Sequence, residues 1–221
     1  MSKLHVFDMD GTLLQGSACL EVSRHMGKLE AINVIEEAWG RGEVGHVEFY
    51  ELCLPLWEGL TSSDIDEVFA LTPWLVGVED VLIDIARRGE RSAVVSLSPQ
   101  FFVDRLLGWG ATSVHGARVM AGQQLEPTLV LTPESKPVLV RELLDRYKIS
   151  DADCVAYGDS SSDIPLFEML TNTVSVNGST RLQALAARHY EGADLRGAYA
   201  EGRGLLDSAP CMATQAGRFS G

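Results

Sequence analysis

The sequence predicts an α/β protein: a doubly wound, mainly parallel sheet carrying a small helical second unit. Three observations point there. Short valine-rich apolar runs, LHVF (4–7), AVV (93–95), CVAY (154–157) and TVSV (173–176), recur along the chain. Stretches of helical periodicity separate them, the pattern of a parallel sheet covered on both faces. One long stretch, 17–72, has helical patterns and no clear strand, as expected of an insertion.

The elements follow in order. LHVF is the first strand. The insertion reads as helices over CLEVSRHM, LEAINVIEEAW, VEFYELCLPLW and SSDIDEVFAL, with serine caps before the last. A helix over 79–88 stops at Gly89. After the second strand, 99–107 forms a helix with Phe102, Val103, Leu106 and Leu107 on one face. Residues 112–131 read as β segments around Gly122, a hairpin-like excursion. The next helix starts at Ser135, a candidate N-cap, with Pro137 in its first turn. The third and fourth strands come next, then a serine-capped helix over 179–188. From Ser208 the chain is small, polar and aperiodic, which predicts a loose tail over 208–221. The domain reading is therefore a core of 1–14 and 75–207, a helical cap of 15–74, and that tail.

The 221 residues, 46% hydrophobic, suffice for a sizeable core. No apolar stretch is long enough to span a bilayer, and the N-terminus lacks the apolar segment of a signal peptide. A cytoplasmic protein is expected. The four cysteines are widely spaced and form no CxxC, so buried free thiols are the simplest reading. The formal charge of −13 disfavours nucleic-acid and anionic-membrane partners. It would also repel an anionic metabolite, so a phosphate site must build its own positive field.

In doubly wound sheets, ligands bind at the carboxyl ends of the strands. The first apolar run ends in Asp8-Met9-Asp10-Gly11-Thr12, the second in Ser96-Leu97-Ser98, and the third in Gly158-Asp159-Ser160-Ser161-Ser162-Asp163. Lys136 opens the helix before the third strand. Carboxylates, hydroxyls, glycine-freed backbone and one lysine thus converge on one sheet edge. Isolated buried carboxylates are costly unless paired or metal-bound, and this set supplies partners for both.

These motifs resemble the haloacid dehalogenase superfamily of phosphotransferases. DMDGT matches its first motif, Ser96 its second, Lys136 its third and GDSSSD its fourth, in order across 8–163. GADLRGAY (192–199) is similar to a segment of the phosphoserine-phosphatase-like branch. The resemblance implies a Rossmann-like core, a helical cap, and a Mg²⁺-dependent phosphatase acting through an aspartyl-phosphate. Asp8 would be nucleophile and metal ligand. Asp10 would be general acid, then base, and would give its main-chain carbonyl to the metal. Asp159 would be a metal ligand, and Asp163 would hold the metal's waters or orient Lys136. Ser96 and the Leu97 N–H would grip the phosphoryl oxygens, with Gly11 and Thr12 in the same loop, and Lys136 would neutralise developing charge.

A small phosphorylated metabolite is the expected partner. A dehalogenase is disfavoured by Asp10, which that branch lacks. A phosphomutase would need a substrate that takes the phosphoryl group back. A receiver-type signalling module is shorter and carries its acceptor aspartate after a middle strand, and a non-catalytic phosphate binder would not keep every motif residue. Where the phosphoserine-cleaving relatives carry a glutamate that reads the substrate amine, nine residues past the nucleophile, this chain has Ser17. Glu21 could compensate, and Arg24 and Arg41 are candidates to read a carboxylate. The expectation is that L-phosphoserine is not the best substrate and that a sugar or polyol phosphate is better; phosphoserine is the alternative.

Overall fold

The computed structural model describes residues 2–208. Six strands form one parallel sheet: β1 (Leu4–Phe7), β2 (Arg91–Pro99), β3 (Ser113–Ala117), β4 (Cys154–Gly158), β5 (Thr173–Val176) and β6 (Arg188–Tyr190). Their spatial order is β3-β2-β1-β4-β5-β6. The order reverses at β1, which pairs with β2 on one side and β4 on the other. That reversal opens a crevice at the carboxyl ends of β1 and β4, where the strand-end motifs sit.

Alternation along β1 shows how the sheet is buried. Leu4 and Val6 join one apolar cluster with Val140, Leu144 and Phe167, from α7 (Ser135–Tyr147) and α8 (Ile164–Met169). Phe7 points the other way, into the cluster of α5 (Val78–Arg87) and α10 (Leu195–Ser208). Successive strand side chains face opposite sides, so both faces must be covered.

Four helices occupy the predicted insertion: α1 (Ala18–His25), α2 (Leu29–Gly40), α3 (His46–Cys53) and α4 (Ser62–Leu71). Local chemistry sets their ends. Ser17 caps α1 by accepting from the Leu20 N–H. Thr61 and Asp64 form a reciprocal capping box at α4. The apolar interior of the insertion, including Val22, Ile32 and Trp57, is continuous with that of α5 and α10. The buried Trp57 indole donates to Ser23 Oγ at 2.8 Å.

Several sequence expectations are corrected. No hairpin forms over 112–131. Residues Ser113–Ala117 instead add a parallel edge strand to β2, whose free edge satisfies their backbone groups. The rest of the segment is a loop closed by the Arg118 N–H donating to the Leu129 carbonyl. The helix over 99–107 splits into α6 (Gln100–Val103) and a 3₁₀ segment, Asp104–Trp109. Phe102, Val103 and Leu106 are buried, but the tighter winding after Asp104 turns Leu107 out to solvent. The helix over 179–188 shortens to α9 (Thr180–Gln183), because Arg188–Tyr190 pairs with β5 as β6. Ser135 does not cap α7; its hydroxyl accepts from the Thr132 N–H in the preceding turn. Of the predicted tail, Ser208 ends α10, and 209–221 lie outside the described residues.

A buried polar network fastens β1 to α10. His5 lies between Tyr157 Oη (3.0 Å) and Glu90 Oε2 (3.1 Å), and Arg203 donates to Glu90 at 2.6 Å. Burial pushes His5 ionisation down. Burial would raise Glu90, but the bonds from His5 and Arg203 outweigh it and hold the carboxyl at about 2. Since this lies below the ordinary 4.5, the stabilisation is full above pH 4.5 and is lost as pH falls toward 2. The Tm advantage of the wild type over Glu90→Gln should therefore shrink across that window. A constant gap from pH 5 to 2.5 would exclude Glu90 as the charged partner.

Candidate active site

The sheet delivers Asp8 one residue beyond the end of β1, where the Asp8 N–H donates to the Tyr157 carbonyl of β4. Asp8 is buried, and Lys136 Nζ lies 3.0 Å from its Oδ1. Lys136 projects from the first turn of α7 and is only 1% exposed. It also donates to Asp163 Oδ1 at 2.6 Å and Ser162 Oγ at 3.1 Å. Burial would strip its proton, but Asp163 and Asp8 outweigh that and hold its pKa above the ordinary value.

Asp163 spends its second oxygen on the N–H groups of Asp159 and Ser160. It thus organises the lysine and the loop after β4. Gly158 is necessary there, since a Cβ would fall 2.4 Å from the Asp163 carboxyl. Asp159 is different: its Oδ1 is buried without a hydrogen-bond partner. Carboxylate oxygens of Asp8, Asp159 and Asp163 all lie within 4.8 Å of one another. A hard-oxygen cluster with an orphaned acceptor fits a divalent cation. With both Asp163 oxygens engaged, Asp8 and Asp159 are the free donors. Burial pushes Asp159 up to about 7, with Asp163 adding repulsion, and raises Asp8 well above the carboxylate range for the same two reasons.

Asp10 sits in the turn after Asp8. The Ala18 N–H, at the start of α1, donates to its Oδ1 at 3.0 Å, and the Ser98 hydroxyl donates to its Oδ2. Burial raises its pKa to about 6 against those two bonds. A carboxyl poised there can give up or take a proton near neutrality. Ser96, buried in β2, accepts from the Ser98 N–H at 3.1 Å. Gly11 adopts φ +75°, and a Cβ there would lie 2.1 Å from Asp159 Oδ2. Thr12 is fully buried with an unpartnered hydroxyl.

These groups form the floor of a cavity of about 460 Å³ roofed by α1, α2 and α3. Ser17 lines it, as expected, but Glu21 and Arg24 do not: they pair with each other at 2.6 Å. Arg41 is likewise outside, paired with Glu43. Sequence reasoning placed Ser98 at the strand end without its bond to Asp10, and missed Glu36 and Tyr50. Tyr50 donates from α3 to the Leu97 carbonyl at 2.5 Å. Glu36 accepts from the Ser17 hydroxyl, so a carboxylate from α2 stands beside the serine. Its spacing of one to four residues from Ile32 and Ile35 was the available signal, masked by the adjacent Glu37, which reads as a solvated face. Cys19 lines the cavity, but burial pushes its thiol pKa well up, away from nucleophilic use at neutral pH.

A haloacid dehalogenase-like hydrolase profile matches residues 5–168. The phosphoserine phosphatase of Idiomarina loihiensis is 26% identical, the match covering 84% of this chain and 86% of the relative. That of Archaeoglobus fulgidus is 25% identical over 83% of this chain; the match spans only 55% of that relative's length. A substrate-bound phosphoserine phosphatase structure superposes with a TM-score of 0.76 at 21% identity, over 90% of this chain and 98% of that one. Fold and site together define a capped α/β phosphoric monoester hydrolase. The chain belongs to the haloacid dehalogenase-like hydrolase family.

Gly11→Ala tests the close approach of the two motifs. It should lower phosphatase kcat/KM at least tenfold by displacing Asp159, with about 1 kcal/mol of backbone strain read as a Tm shift of a few degrees. Unchanged kinetics would mean that the Asp159 position is not critical.

Proposed function

We propose that this site hydrolyses a small-molecule phosphomonoester through an aspartyl-phosphate on Asp8. The observation that supports it most directly is the pairing of two unlike carboxyls: Asp8 against Lys136, and Asp10 held near pKa 6 between Ser98 and Ala18.

An Asp8 oxygen attacks phosphorus while the bond from phosphorus to the leaving oxygen breaks, and Asp10 gives that oxygen its proton. Asp10 then takes a proton from water as the water oxygen attacks phosphorus. The phosphorus–Asp8 bond breaks, inorganic phosphate leaves, and both carboxyls return to their starting states. Lys136 balances charge on Asp8 and the phosphoryl oxygens. The Ser96 hydroxyl and Leu97 N–H grip those oxygens, and Gly11 and Thr12 shape the turn beneath them. Asp8, Asp159 and the Asp10 main-chain carbonyl would hold Mg²⁺, with Asp163 fixing Lys136. Bound there, the ion supplies charge neutralisation and orientation of the phosphoryl group.

We assign 15–74 as the cap domain and 1–14 with 75–207 as the core. No helix among the described residues is long and apolar enough to cross a membrane; a cytoplasmic location and no nucleic-acid partner are part of this reading. Phosphoserine is the second substrate reading, favoured by the named relatives.

Asp8→Asn should leave the circular dichroism spectrum unchanged and reduce turnover of p-nitrophenyl phosphate by at least ~10³-fold. Near-normal activity, with deamidation excluded by mass spectrometry, would sink the nucleophile assignment. Separately, EDTA should abolish activity, Mg²⁺ restore it and Ca²⁺ substitute poorly, because calcium's looser coordination misplaces the phosphoryl group. Full activity of metal-stripped protein would refute the metal requirement.

A further inference from the structure

The roof of the cavity carries charge of one sign. Away from the phosphoryl floor it is lined by Ser17, Glu36, Trp39, His46, Phe49 and Tyr50, among other groups, with no lysine or arginine. Glu36 is half-buried and has no ion-pair partner among the described residues. The Ser17 hydroxyl serves its Oε1, and its Oε2 makes no hydrogen bond to the described protein. Ser17 itself is used twice, since its oxygen also accepts from the Leu20 N–H.

The other walls suit a cation. Trp39 stacks edge-on with His46 (5.9 Å) and lies 6.0 Å from Phe49, which meets Tyr50 at 5.6 Å. Aromatic faces attract ammonium groups, most strongly where water is excluded. His46 offers no competing charge, because burial lowers its pKa despite nearby Glu134. A substrate carboxylate would meet Glu36 with no guanidinium or ammonium to receive it. An uncompensated like charge in such a site is selected against.

We propose that Glu36 reads a positive charge on the leaving group, so that the preferred substrate is an aminoalkyl phosphomonoester without a carboxylate. The inference rests on the phosphatase reading and replaces the sugar or polyol phosphate expected from Ser17 alone. Ser17 acts as a positioning residue, holding one oxygen of Glu36 so that the other faces the substrate. The leaving group departs as an amino alcohol, and no additional reactant is required.

The test is kcat/KM of the Mg²⁺-loaded full chain toward phosphoethanolamine, phosphocholine, glycerol 3-phosphate and L-phosphoserine, with p-nitrophenyl phosphate as a general reporter. At least one of the two aminoalkyl phosphates should exceed both glycerol 3-phosphate and L-phosphoserine by tenfold or more. In Glu36→Gln the ratio of aminoalkyl phosphate to glycerol 3-phosphate should collapse to within about threefold. In Glu36→Lys it should invert, and turnover of L-phosphoserine relative to phosphoethanolamine should rise. Turnover of p-nitrophenyl phosphate without aminoalkyl preference, or a ratio indifferent to both variants, would overturn this inference and leave the phosphatase reading standing. No turnover of any ester would overturn both.

Discussion

A lysine ammonium buried to 1% exposure is tolerable only where anions surround it, and Lys136 makes the rest of the site depend on that condition. Asp163 and Asp8 meet it from two different strand ends, at 2.6 and 3.0 Å. Removing one member of such a buried set leaves an uncompensated charge, at a cost of about 3–5 kcal/mol. The loop after β4, the turn after β1 and the first turn of α7 are therefore locked to one another. Their mutual position also aligns the proposed nucleophilic carboxylate of Asp8, the Lys136 cation and the unpartnered oxygen of Asp159.

The insertion is tied to this machinery by specific bonds rather than by apolar packing alone. The first N–H of α1 donates to Asp10, so the start of the helical insertion helps set the position and proton affinity of the proposed catalytic acid. Tyr50 reaches from α3 to the Leu97 carbonyl, whose own residue carries a proposed phosphate-binding N–H. Ser17 joins α1 to Glu36 on α2. The proposed leaving-group recognition and proton transfer would thus share the first turn of one helix. A change in what the cap holds can reach Asp10 through a single hydrogen bond.

The core strands and the acidic groups that meet at their ends were legible because short valine-rich runs and acidic turns are local signals. Leu4–Phe7 and Thr173–Val176 emerged as the four-residue runs that were expected. Two of the misread elements share one cause. Ser113–Ala117 and Arg188–Tyr190 are edge strands whose conformation is decided by a free neighbouring edge, a partner distant in sequence. A different cause acts after Pro99, where Phe102, Val103 and Leu106 stayed buried while the winding changed and turned Leu107 out, a change that periodicity over nine residues cannot distinguish.

By itself the sequence determined the parallel α/β architecture, the helical insertion and the residues that meet at the strand ends. Each follows from nearest-neighbour chemistry: alternating faces, capping residues, and carboxylates placed after apolar runs. Only the tertiary structure decided which distant groups the acids hold, because Lys136 and Ser98, partners of Asp163 and Asp10, come from elsewhere in the chain. It also decided the character of the roof. Ser17 alone suggested a site without a negative charge, whereas folding brings Glu36 to its hydroxyl and leaves both candidate arginines outside the cavity. Charge in a closed site depends on what converges in space, and helix packing sets that convergence.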